Sequence, residues 1–192
     1  MVYHQGTFIG FTGAGGTGKT TTAKALLECL PKYSFLPSAS REVFKRFKLE
    51  KESDQDGMSE ILRWKLQQEI QIAHRATQIE NYNRLMICDR TQLDQYCYAT
   101  IQCSKVLQPD DLEFLDTLLR DSLPQYRRIF YFPLHTYAPL DDGMRDDREG
   151  LRVHFDLLLR GLFEKYRVFP VTVPIGSVEK RCDFILRHIS HK

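Results

Sequence analysis

No apolar run in this 192-residue chain approaches the about 20 residues that span a bilayer, so no membrane helix is expected. The N-terminus, "MVYHQGTFIG", lacks the basic segment and apolar core of a secretory signal. Cys-x-x-Cys pairs are absent. The five cysteines, Cys29, Cys88, Cys97, Cys103 and Cys182, are odd in number. That speaks against a disulfide framework or a zinc site and for a reducing, cytoplasmic setting. Each is read as a small buried apolar side chain. The six histidines form no cluster, and His188 and His191 are expected to face solvent. Charge of one sign is lacking too. The 27 Lys and Arg against 25 Asp and Glu leave +2, so no global field calls for nucleic acid or a membrane surface. There is no internal repeat and no low-complexity linker, and the length suits one domain over residues 1–192.

What the chain does have is alternation. Short apolar runs at Thr7–Thr12, Lys32–Ser40, Arg84–Asp89, Arg127–Pro133 and Arg167–Pro174 read as strands, the last weakened by Pro170. Helical periodicity lies between them. Gly18–Leu30 is stopped by Pro31, and Met58–Asn83 follows a mixed, basic Arg41–Glu52. Further helices start near Leu93, at Pro109 with its two acids, over Leu151–Tyr166, and from Gly176-Ser177 to about Ile189. Strands alternating with helices predict an α/β fold, a parallel sheet covered on both faces.

The stretch Gly13-Ala14-Gly15-Gly16-Thr17-Gly18-Lys19-Thr20 satisfies G-x-x-x-x-G-K-[ST]. The glycines let backbone N–H groups converge on an anion, and the helix opening at Gly18 adds its positive end. Lys19 is expected to reach the β- and γ-phosphates of ATP, and the Thr20 hydroxyl to ligate Mg²⁺, with Thr21 beside it. The loop follows a strand and opens a helix, as this chemistry requires.

Asp89 ends the third apolar run. In a parallel sheet, that edge is where ligands gather. An acid there can hold Mg²⁺ or polarise an acceptor hydroxyl, and Arg90 can grip phosphate. Motor-type ATPases usually carry Asp-Glu here, the Glu polarising water; this chain has Asp89-Arg90. Switch GTPases carry Asn-Lys-x-Asp, but the only asparagines are Asn81 and Asn83, in "NYNR". Both comparisons favour phosphoryl transfer.

With these residues the chain resembles the small P-loop kinases of nucleosides and nucleotides. It is most similar to the branch typified by the ribosylnicotinamide kinase domain. That branch shows Arg-Glu after strand two, Asp-Arg-x-x-x-Asp after strand three and an Asp-Gly-x-Arg lid. The matching positions are Arg41-Glu42, Asp89-Arg90 with Asp94, and Asp142-Gly143-Met144-Arg145. The resemblance implies a three-layer fold with a five-stranded parallel sheet in the order 2-3-1-4-5. It also implies Mg-ATP as donor, with Asp89 or Glu42 working near the acceptor. Phage-encoded kinases of nucleotides, or of hydroxymethylated pyrimidines such as 5-hydroxymethyluridine in DNA, are similar at this level, with the host cytoplasm as their setting.

Three further segments complete the reading. A lid over about 136–152 carries Arg145, Arg148 and Arg152 among acids. Arginines closing from a lid stabilise charge on the transferring phosphoryl and exclude water; Arg145 leads, then Arg148. Gly176 and Ser177 follow the last strand, where related kinases pack adenine; Ser177 also suits a helix N-cap. Arg41–Lys51 interleaves Phe44 and Phe47 with cations, either as a solvated basic helix face or as an acceptor site. Trp64 is expected in the core. The expectation is a kinase passing the γ-phosphoryl of Mg-ATP to a nucleoside, nucleotide or related small molecule. A kinase of modified bases in DNA and a non-kinase binding or assembly ATPase are the alternatives.

Overall fold

The computed structural model describes residues 7–39, 85–135 and 149–190. Element labels run over these residues. Five parallel strands form one sheet: β1 (Phe8–Thr12), β2 (Tyr33–Leu36), β3 (Leu85–Asp89), β4 (Tyr126–Tyr131) and β5 (Val171–Thr172). Their order is β2-β3-β1-β4-β5, as the kinase resemblance implied. β1 is central and buried at every position, which suits a strand covered on both faces. Its register sets Phe11 opposite Asp89 on β3 and Thr12 opposite Tyr131 on β4. The carboxyl ends of β1 and β3 therefore lie side by side.

Alternate residues of the strands feed two cores. Ile9, Phe11, Phe130 and Phe132 face α1 (Lys19–Cys29) and α5 (Val178–Ser190), meeting Ala23, Leu26, Cys182 and Ile185. Phe11 packs edge-on to Phe130, with centroids 5.8 Å apart, and 5.0 Å from Phe132. Ile129 and Tyr131 face the other way. They meet Leu93 and Cys97 of α2 (Gln92–Gln102), Leu119 of α3 (Pro109–Ser122) and Phe155 and Leu159 of α4 (Glu149–Lys165). Each fully buried large side chain contributes about 1.5–3 kcal/mol of transfer free energy, so these two layers hold the sheet.

Helix starts follow their local chemistry. Pro109 opens α3 behind a Gln108–Asp111 capping box, and Thr91 and Asp94 form the box that opens α2. Four sequence expectations change. β5 begins only at Val171, because Pro170 has no N–H for the ladder; Val173 N still donates to the Tyr131 carbonyl at 2.8 Å. α4 starts at Glu149, so Glu149–Arg152 is a helical turn rather than part of an irregular lid. Cys29 is exposed at the end of α1, while the other four cysteines are buried. His188 does not face solvent freely: its ring stacks at 4.2 Å on Phe184 and its Nδ1 meets the Phe184 carbonyl at 2.8 Å. The helices expected over 41–52 and 58–83, Trp64 and His191 lie outside the described residues.

Candidate active site

The loop between β1 and α1 is built by three residues with positive φ: Gly13 at 139°, Gly16 at 75° and Gly18 at 87°. A Cβ on Gly13 would stand 2.3 Å from the carbonyl oxygen of Phe132, just past β4, so only glycine fits where the chain leaves β1. Gly18 caps α1 in the left-handed region, and the first turn of α1 carries no acid. The helix end therefore keeps its positive potential. Thr17 Oγ1 donates to the Ala14 carbonyl at 3.0 Å and tightens the loop.

Lys19 is 4% exposed. Its ammonium donates to the carbonyls of Gly13 and Ala14 at 2.7 and 2.6 Å and to Thr17 Oγ1 at 3.1 Å. It thus crosses its own loop instead of extending along α1. Thr20, the next residue, donates its hydroxyl to Asp89 Oδ2 at 2.6 Å, across 69 residues of chain. Two hard oxygen donors meet there beside the loop, a set that suits Mg²⁺ completed by phosphate and water. Among the described residues no cluster of three or more His, Cys, Asp or Glu offers a metal site. Thr21 is exposed on α1, and the side chain of Ala14 is buried in the core.

Arg90 has φ of 111°, a strained conformation for a residue with a side chain. Its guanidinium lies 4.7 Å over the Tyr98 ring and 3.4 Å from Asp94 Oδ1. Asp94 is fully buried, and Gly13 N–H donates to its Oδ1 at 3.2 Å. Glu42, Arg145, Arg148 and the basic Arg41–Lys51 segment lie outside the described residues.

On the far side of the loop lies a cavity of about 520 Å³, bounded by Gly16–Gly18, Phe132, Pro133, His135, Val173–Ser177 and Arg181. Gly176 and Ser177 sit on its rim, and Lys180 N–H points to Ser177 Oγ at 3.4 Å, marking Ser177 as the cap of α5. Arg181, one turn into α5, donates from Nη1 to the Thr17 carbonyl at 3.1 Å and lies over Gly18. Burial holds its pKa below the usual arginine value. Arg152, in the first turns of α4, donates from Nε to the Gly15 carbonyl at 3.1 Å, and its Nη2 is buried with no hydrogen-bond partner among the described residues. Burial, then the charges of Arg152 and Arg181, hold the His135 pKa below its ordinary value. The loop is thus flanked by cations from two helices.

Sequence reasoning had Arg152 only as a member of a lid, and it missed Arg181, His135 and the Asp94–Gly13 contact. Arg181 is separated from Thr17 by 164 residues, and its one available signal is its place four residues after the capping Ser177.

A family model described as an AAA domain matches residues 8–181. No curated protein matches the chain. Among solved structures it is similar to the NadR protein in complex with NR, at 17% identity and a TM-score of 0.70 over 99% of this chain and 51% of that one. The chain thus spans about half the length of NadR. It is similar to deoxyadenosine kinase from M. mycoides with bound dCTP, at 17% identity and TM-score 0.66, covering 96% of this chain and 100% of that one. It is also similar to thymidylate kinase from Candida albicans, at 15% identity and TM-score 0.70, covering 96% and 91%. The chain belongs to the AAA domain family matched over residues 8–181, with the P-loop fold shared by these nucleoside and nucleotide kinases.

Proposed function

We propose that the chain is a kinase that transfers the γ-phosphoryl of ATP to a nucleoside, nucleotide or related small acceptor. The observation that carries this is the contact of Thr20 with Asp89, with Arg90 rather than a glutamate following that acid. Motor-type hydrolases usually hold a water-orienting glutamate at this edge. Here the position holds a strained cation, which suits an anionic or polar acceptor.

The loop N–H groups and Lys19 bind the β- and γ-phosphates, and the cavity beside Gly176 takes the base. Mg²⁺, when bound, neutralises charge shared between the β- and γ-oxygens; Thr20 and Asp89 would hold it. The acceptor oxygen bonds to Pγ as the bond from Pγ to the β–γ bridging oxygen breaks. ADP leaves with that electron pair. The hydroxyl proton passes to a carboxylate, with Asp89 and Glu42 as the two candidates. Arg152 reaches the same loop and stands with Arg145 and Arg148 as a partner for the equatorial oxygens. Charge stabilisation of this kind is worth roughly 3–4 kcal/mol per donor.

The test is a panel of nucleosides, nucleotides and DNA incubated with γ-labelled ATP, with Lys19→Ala as control. Label should enter a small acceptor and be lost by at least a hundredfold in Lys19→Ala. Label in polymer DNA alone would reassign the acceptor. Label in no acceptor, with ATP consumed, would refute the kinase reading.

A further inference from the structure

We propose that Asp94 is a positioning residue that ties the donor loop to Arg90 and so couples the donor and acceptor sides; this rests on reading the loop as an ATP site. Asp94 is fully buried in the first turn of α2. Its Oδ2 accepts from both Thr91 N–H and Thr91 Oγ1, each at 2.8 Å. That oxygen alone completes the capping box. Oδ1 takes no part in the cap. It accepts from Gly13 N–H at 3.2 Å and faces Arg90 Nη1 at 3.4 Å.

One atom therefore serves both halves of the site. Gly13 is 81 residues away in the chain and turns it from β1 into the loop. The carbonyl of Gly13 accepts from Lys19 Nζ at 2.7 Å. A line of contacts runs from Arg90 through Asp94 and Gly13 to the lysine. A buried carboxylate is costly unless it is paired; Thr91 satisfies Oδ2, so at Oδ1 the loss of one donor shifts the load to the other. At 3.4 Å the Arg90 contact is long for a charge-assisted bond, and with the guanidinium also lying 4.7 Å over the Tyr98 ring, an acceptor anion at Arg90 would compete with Oδ1 for it. Asp94 then tightens on Gly13 N–H and firms the loop. Each side biases the other through Oδ1, which is what a coupling free energy between sites requires.

The experiment is calorimetric binding of ATP and AMP to the full chain, with circular dichroism confirming folding. Asp94→Asn puts an amide N–H₂ against a backbone N–H. It should weaken ATP fivefold or more, and weaken AMP less. Asp116→Asn, which loosens the Lys165 end of α4, the end away from Arg152, is the control for general destabilisation and should leave ATP affinity within twofold. Arg90→Ala should change ATP affinity threefold or more when Asp94 is intact and less than threefold in the Asp94→Asn background. A folded Asp94→Asn that loses less than fivefold, or one that weakens ATP and AMP alike, overturns the proposal. If Asp94→Asn does not fold, Arg90→Ala alone decides, and a change below threefold overturns it. A wild type that binds no ATP overturns the loop reading and this proposal together. One that binds ATP but labels no acceptor overturns only the kinase reading.

Discussion

Gly13 has room for a hydrogen and nothing larger. Its φ of 139° and the Phe132 carbonyl, 2.3 Å from any Cβ, act together. Gly13→Ala is expected to cost about 2 kcal/mol or more, lowering Tm by about 5 °C. It should also weaken ATP binding, because the loop shifts off β4. Thermal unfolding with and without ATP checks both, and an unchanged Tm would contradict the close approach. Gly15 is a contrast, since a Cβ there meets nothing within 4 Å among the described residues. Asp89 was legible because its position depends only on where a strand ends. Arg90's strained φ and the Asp94–Gly13 contact were not. They depend on how α2 docks against a loop some 80 residues earlier, and no local pattern encodes that.

At the scale of elements, α4 carries Arg152 and is fastened at two places. Tyr131 of β4 donates to Asp156 Oδ1 at 2.5 Å, and Arg160 meets Asp156 Oδ2 at 3.1 Å. Burial first, then that hydrogen bond, push the Tyr131 phenol up to about 12. At the other end Lys165 Nζ and Arg120 Nε reach Asp116 of α3 at 2.8 and 2.6 Å, and the Tyr166 hydroxyl joins them. Hydrogen bonds from Lys165, Tyr166 and Arg120 hold the Asp116 carboxyl well below its usual value of 3.8. A depressed folded-state pKa adds stability above the unfolded value and loses it as pH falls. Asp116→Asn should therefore lower Tm at neutral pH, modestly because the pair is partly solvated. The gap from wild type should narrow as pH falls below about 4 and close only well below it, where the folded-state carboxyl takes up its proton. A gap that persists unchanged in acid would show that packing, not charge, fastens the helices. α4's early start at Glu149 escaped sequence reading because the run of acids and glycines in "DDGMRDDREG" carries no helical periodicity. β5 shrank because Pro170 withholds a donor.

For the whole molecule, alternation alone predicted a parallel α/β sheet, and resemblance supplied its order. Both hold among the described residues. The phosphate loop was legible because its chemistry is compressed into eight consecutive residues. The cavity beside the loop was half legible: Gly176 and Ser177, on its rim, were named, but Arg181 and His135 meet them only through the packing of α5 on α1 and the end of β4. No described helix is long and apolar enough to cross a membrane.

The central claim is that this loop donates phosphate to an acceptor rather than to water. The most direct test is a single turnover of γ-labelled ATP with the acceptor that the panel identifies, dividing label in product by label in free phosphate. A kinase built as described should give a ratio far above one, because Arg90 stands where a water-orienting glutamate would be needed. A ratio near or below one, with acceptor saturating, would contradict the account.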